Sequence, residues 1–209
     1  NMFIKKTKEP YLNMLNQKLG ECNTDLYRRG NFNGTFDNLL CDAMINYYKS
    51  EICLSPGFRW GSSVLSGEKI TMNDIYNQTA ITYPNTYSRR LTGATIKNIL
   101  EDVADNIFNP DPYFQQGGDM VRTRGLSYQI TPSNRMNKRI TNIFTSNGKR
   151  LDAKKTYNVS GWASVNNEES GPPIWEVTKK YLEQIKFYET SEKNLPKIKL
   201  EEDNLGIET

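Results

Sequence analysis

Histidine is absent from this sequence of 209 residues, and that one absence excludes more chemistry than any motif present. Without imidazole there is no Ser-His or Cys-His nucleophile pair and no ordinary zinc site. Carboxylates alone can hold a metal, yet no acidic cluster has the loop spacing of such a site. Cysteine is scarce. Cys22, Cys41 and Cys53 form no CxxC pair, which rules out a zinc ribbon and leaves room for one disulfide beside a free thiol. No stretch approaches the roughly 18 apolar residues of a membrane span, so no membrane partner is expected. No signal peptide is legible, and the abrupt opening NMFIKK reads as a cut from a longer precursor. Charge of one sign is also lacking. The 27 basic residues are scattered among 24 acidic ones, net +3, so the basic stripe of a nucleic-acid binder is missing and nucleic acid is not an expected partner.

What is present is aromatic bulk. A mean hydropathy of −0.70 is polar for a globular chain, but 12 Tyr, 8 Phe and 3 Trp can build a core. Residues 11–20 (YLNMLNQKLG) place Leu12, Leu15 and Leu19 at helical spacing between Pro10 and Gly20, which predicts a connector helix at the start of the chain. TFDNLLCDAMINYYK, with Thr35 as N-cap, puts Phe36, Leu39, Leu40, Ala43, Met44 and Tyr47 on one buried face. Two more helices follow from TGATIKNILEDVADNIF and PPIWEVTKKYLEQIKFY, and Thr71 caps a short one. Strands are predicted at EICLS, TAITYP, TYSRRL, RGLSYQI, KRITNIFTS, KTYNVSGWA and KIKL, the sixth reached through the Asn-Gly turn of NGKRLDA. The order lacks regular βαβ alternation, so the expected class is α+β, a mixed β-sheet packed with helices. Residues 1–24 read as the connector, 25–200 as one domain and 201–209 as an acidic, frayed tail.

Four loops carry residues that suit a ligand better than a core. In LYRRGNFNGT, Arg28, Arg29, Asn31 and Asn33 stand before a helix N-terminus, where free N–H groups and the dipole favour an anion; a polar loop with a cap explains them equally well. In LSPGFRWG, Arg59 follows a Pro-Gly turn, either to bind an oxyanion bidentately or to lie stacked on Trp60. In PYFQQGGDMVR, Gly117 and Gly118 admit close backbone approach beside the rings of Tyr113 and Phe114. In SGWASVNNEESGPP, Trp162 is either a ligand-facing plate or a plug on the sheet edge. The triplets at Asn33, Asn77 and Asn158 fit glycosylation acceptors, but such triplets arise often by chance. Together the loops offer arginines, backbone amides and aromatic plates without acid–base machinery: the equipment for gripping a substrate.

The blocks YRRGNFNGTFDNLLCDAM, LSPGFRWG, QTAITYP, LTGATIKNILEDVADNIFNPDPYFQQGGDMVR and YNVSGWASVN…GPPIWEV resemble, in order, the C-terminal half of the sulfur-oxidation thiosulfohydrolases, the SoxB family. More distantly they resemble the C-terminal domain of 5'-nucleotidases. The resemblance implies a periplasmic two-domain hydrolase whose N-terminal metallophosphoesterase domain, outside this sequence, holds two manganese ions through His, Asp and Asn. It also implies that this sequence carries neither catalytic residues nor a cofactor of its own. The implied substrate is a thiosulfonate on a cysteine of a sulfur carrier protein (SoxYZ-like), released as sulfate; the nucleotidases release phosphate instead. The metals would activate water, and the C-terminal domain would fix the substrate and screen its charge.

Residue by residue, the resemblance places Arg59 where the nucleotidases grip the substrate's anionic group, and a second substrate arginine at Arg28 or Arg29, with Arg29 the better match. It places Tyr83 near, and Trp162 at, the two aromatic positions that sandwich a nucleobase. Cys41 and Cys53 fall near a disulfide pair of the animal enzymes. One departure stands out: Leu54 replaces a polar group that would read a base, which favours a substrate without one.

Overall fold

A computed structural model gives the fold and describes residues 2–164, 171–190 and 194–200. The opening segment is α1 (Met2–Lys8), a 3₁₀ turn (Glu9–Tyr11) and α2 (Leu12–Leu15), none of which buries a residue. The helix expected over 11–20 therefore ends at Leu15. Residues beyond it form β1 (Lys18–Cys22), because Leu19 and Cys22 go fully into the core and a neighbouring strand is there to take the backbone. Gly20 sits inside that strand rather than stopping a helix.

The next elements follow the apolar periodicity closely. In α3 (Thr35–Tyr48), Phe36, Leu39, Leu40, Ala43 and Met44 are fully buried. Its N-cap is Gly34, not Thr35: Asp37 reaches back to accept from the Gly34 N–H at 3.1 Å, while the Thr35 hydroxyl accepts from Tyr27 N at 3.1 Å. Tyr47 leaves the expected face and is 42% exposed, edge-on to Tyr48. After β2 (Ile52–Ser55) and β3 (Lys69–Thr71), α4 (Met72–Thr79) opens on the anticipated Thr71, which exchanges hydrogen bonds with Asp74. The strand expected at TAITYP does not form. Thr79 belongs to α4, and Pro84 has no N–H for a ladder; its carbonyl instead accepts from Ile174 N at 2.9 Å.

The second half adds β4 (Thr86–Thr92) and α5 (Gly93–Phe108), the latter capped by the Thr92 hydroxyl. A single expected strand over 124–130 is split into β5 (Arg122–Arg124) and β6 (Leu126–Ile130) by Gly125. There φ is +82°, and a Cβ would lie 2.2 Å from the Glu51 carbonyl oxygen, so only glycine can turn the chain. Then come β7 (Ile140–Thr145), β8 (Thr156–Trp162), α6 (Ile174–Ile185), β9 (Phe187–Tyr188) and β10 (Lys197–Ile198). The Asn-Gly turn closes β7 onto Arg150, but β7 and β8 enter different sheets and form no hairpin. The expected acidic tail, 201–209, lies outside the described residues, as do 165–170 of the loop after Trp162.

Three mixed arrangements of strands result. A central four-stranded sheet runs β4-β8-β2-β5, parallel between β8 and β2 and antiparallel at both edges. Two three-stranded sheets, β3-β1-β9 and β10-β6-β7, flank it. The period-2 alternation of β2 divides two cores. Cys53 faces the one built from α3, α4 and α6, whereas Ile52 and Leu54 face the one built on α5, β6 and β7. The α+β expectation stands, and the loop after β2 and the segment before β5, neighbours in the central sheet, come together at one end of it.

Candidate functional site

The loop 54–61 leaves β2 through Pro56 and Gly57. Gly57 is required by proximity: a Cβ there would meet the Asp119 Cβ and the Met120 carbonyl oxygen, each at 2.6 Å. This contact locks the loop to the segment 117–122. Beyond it, Phe58 and Trp60 point to the same side and stack on each other, centroids 4.0 Å apart and planes 22° off parallel. Arg59 is thus not held between the two rings, and the cation that lies over aromatic faces is a different one. Arg28 sits 5.0 Å from the Phe58 centroid and 5.7 Å from that of Trp162.

The two arginines have opposite surroundings. Arg28 is 1% exposed and fully engaged: Nε donates to Asp37 at 2.7 Å, Nη1 to the Gln78 carbonyl at 2.8 Å and Nη2 to the Pro56 carbonyl at 2.8 Å. Arg59 has a side chain 60% exposed, anchored from below by Asp119, with Nε 2.6 Å from Oδ1 and Nη2 3.5 Å from the Gly118 carbonyl. Its Nη1 edge has no partner among the described residues and faces outward.

Between them lies a buried row of charges. Asp37 faces Arg28 at 2.7 Å and Arg122 at 3.2 Å, and Arg122 meets the second Asp119 oxygen at 3.0 Å. Arg28, Asp37, Arg122, Asp119 and Arg59 thus alternate in sign, and all but Arg59 have side chains at most 3% exposed. Burial pushes the Asp37 carboxyl up and the Arg28 guanidinium down, and each opposes the other's shift. Arg122 also donates to the carbonyls of Gly30 at 2.6 Å and Asn31 at 2.9 Å, so it fixes the 28–33 loop against the 117–122 loop. Three guanidiniums against two carboxylates leave a net positive charge, and its accessible end is Arg59.

The remaining sequence candidates separate by burial. Arg29 is exposed, unlike its neighbour Arg28. Asn33 is 4% exposed and spends its amide on Asn38 at 2.7 Å and the Asn194 carbonyl at 3.4 Å, so it holds the loop rather than lining it. Trp162 is a plug: 3% exposed, edge-on beneath Phe58 at 5.9 Å, its Nε1 donating to the Ser55 hydroxyl at 2.7 Å. Tyr83 is 45% exposed on the loop before β4. Gly117 and Gly118 have φ of +76° and +94° with open space where a Cβ would stand, and Gly118 borders the same opening as Arg59. Leu54 is a core residue at 4% exposure, so its side chain carries no information about a base.

That opening is a pocket of about 340 Å³ with Arg59, Gly118 and Asp119 at its mouth and Phe32, Phe108, Met120 and Pro132 among its walls. Asp37, Asp119 and Arg122 were not singled out from sequence; the DMVR spacing, which puts an acid and a base three apart beside Gly-Gly, was the available signal. Among the described residues no three His, Cys, Asp or Glu side chains converge as a metal site. The buried carboxylates of Asp37 and Asp119 are already taken by arginine, so these two do not offer a metal pair. Cys41 and Cys53 are buried free thiols; the hydrogen bond to Cys53, then burial, pushes the Cys41 thiol well up, and no disulfide joins them. No described helix is long and apolar enough to cross a membrane.

Two docked loops thus offer one anchored, exposed cation at the end of β2, and the sequence places the chain in a family. The chain belongs to the 5'-nucleotidase C-terminal domain family, whose pattern it matches over residues 6–175. Among solved structures it is similar to the sulfate thiohydrolase SoxB of Thermus thermophilus in complex with glycerol, at 32% identity and a TM-score of 0.87, covering 94% of this chain and 38% of that one. It is also similar to a 5'-nucleotidase precursor from Thermus thermophilus (19%, TM-score 0.74, covering 93% of this chain and 42% of that one). The NAD nucleotidase of Haemophilus influenzae follows at 16% and 0.74, covering 95% of this chain and 40% of that one; these two likenesses show the fold alone. The chain spans about two-fifths of the length of these proteins. A search of curated protein sequences finds no match.

Proposed function

We propose that this chain is the substrate-gripping domain of a periplasmic thiosulfohydrolase, and that Arg59 holds the sulfonate of a cysteine-linked thiosulfonate on a sulfur carrier protein. The observation that carries it is the Arg59 guanidinium, fixed on one edge by Asp119 and open on the other at a pocket mouth. A cation preset in this way binds an oxyanion without first being ordered. In the reaction, water oxygen adds to the sulfonate sulfur and the bond from that sulfur to its sulfur neighbour breaks. Sulfate leaves, and the carrier keeps a persulfide. In this reading a metallophosphoesterase domain of the whole protein would hold two manganese ions, which would supply the activation of water. This chain's residues hold and orient the anion; its own carboxylates bind arginine rather than metal.

The similarity to SoxB at 32% identity supports this reading over the family's nucleotide hydrolases. So does Trp162, which lies under Phe58 and offers no free face for a nucleobase. The test is hydrolysis by the whole enzyme of a thiosulfonated carrier peptide, against AMP and UDP-glucose. Sulfate release that falls about a hundredfold or more in Arg59→Ala is expected. Faster turnover of the nucleotides would replace this reading with a 5'-nucleotidase.

A further inference from the structure

The pocket beside Arg59 has a composition that an oxyanion alone does not use. Its volume, about 340 Å³, falls within the range of small-ligand sites. Apart from Asn31, Arg59 and Asp119 its lining side chains are apolar, and they come from separated parts of the chain: Phe32 from the 28–33 loop, Phe108 from the end of α5, Met120, Pro132 and Ile198 of β10. Met120 is fully buried at the base and Ile198 is 36% exposed at the rim. Charge is confined to the mouth. Both Asp119 oxygens are taken by arginines, so what the mouth offers outward is the open edge of Arg59 beside the bare backbone of Gly118.

We propose that this pocket is a specificity subsite for a short apolar group joined to the oxyanion at Arg59, so that the domain selects amphipathic organic anions over inorganic ones. The inference rests on the reading of Arg59 as the anion-holding residue. Charge complementarity fixes the orientation: the head stays at Arg59, the one cation among the described residues that line the pocket, and the tail displaces water from apolar surface. In a protein substrate the tail is an apolar side chain flanking the modified residue. Inorganic sulfate and phosphate meet only the mouth and gain nothing from the walls.

The experiment is a two-dimensional NMR titration of the 209-residue chain with methane-, butane- and hexanesulfonate, read at the Arg59 Nε–H and the Met120 methyl. Dissociation constants should fall roughly threefold for each added methylene that enters the pocket, with both signals moving together. Ile198→Trp, which plugs the rim, should flatten the series towards the methanesulfonate value. Arg59→Ala should weaken all three ligands by a common factor. A flat series in the unaltered chain, with Arg59 still responding, overturns the subsite and leaves the anion role intact. A gradient that survives Arg59→Ala without loss keeps the apolar pocket and overturns the anion role. No response to any sulfonate overturns both.

Discussion

Arg28 and Arg59 stand in loops of nearly the same composition, each with glycine, arginine and an aromatic residue, and each next to a helix or strand end. One became interior structure and the other an exposed contact. The difference is the number of backbone carbonyls within reach. Arg28 meets those of Gln78 and Pro56 together with Asp37, and two rings cover what is left. Arg59 meets one carboxylate and one distant carbonyl, because the Gly57 contact holds its loop at the rim of the 117–122 segment rather than beneath it. Availability to a ligand is therefore set by the neighbours' backbone, not by the arginine's own sequence context.

The comparison breaks most readily at Asp37, which serves two buried guanidiniums. Asp37→Asn should cost about 3–5 kcal/mol in denaturant unfolding, since it leaves buried Arg28 without a carboxylate and Arg122 with Asp119 alone. A loss under about 1 kcal/mol would mean that the row is not held by its carboxylates. Gly57→Ala tests what keeps Arg59 at the rim. The new Cβ collides with Asp119 and the Met120 carbonyl, so about 1–3 kcal/mol should be lost and the Arg59 Nε resonance should move. Arg59→Ala should change stability by about 0–1 kcal/mol, because its own side chain is 60% exposed and the buried Asp119 keeps Arg122 as a partner, while turnover by the whole enzyme should collapse. That split between fold and function is what separates it from Arg28.

The smallest effect comes from a fourth arginine, Arg139, which binds Asp105 away from the row. Hydrogen bonds from Arg139 and Asn109 hold the Asp105 carboxyl below its ordinary 3.8. A depressed carboxylate contributes stability above its unfolded value and loses it as pH falls through the folded one. The acid limb of unfolding, below about pH 4, should therefore shift upward in Arg139→Met and stay put in Arg59→Ala. An identical shift in both would merge the two arginine systems.

Much of this fold was legible because apolar spacing is regular over α3 and α5 and Thr71 caps α4. Where they were weaker, tertiary partners decided. Leu19 continued a helical stripe on paper, yet the strand beside it at Lys69–Thr71 drew residues 18–22 into a ladder. TAITYP had strand composition but lay between a helix end and a proline. The site was legible in part. Arg59 and the Gly117–Gly118 turn could be picked out, since charge and glycine pairs in loops are local signals. The burial of Trp162, the docking of Arg28 on the Gln78 and Pro56 carbonyls and that of Arg122 on Gly30 and Asn31 depend on contacts across 28 to 107 positions of sequence. No spacing rule reaches that far. Leu54 shows the converse risk: a departure from a family motif that looked like a statement about substrate is a core residue of β2.

The buried row can be thought of as a short string of an ionic lattice, cation, anion, cation, anion, cation, cut where the protein meets water. A string that starts and ends on the same sign finishes its alternation with an ion from outside. In the proposed role an oxyanion at Arg59 would be the sixth member, completing the alternation at the surface. A charge removed at Asp37, out of reach of any ligand, changes what the surface offers to one.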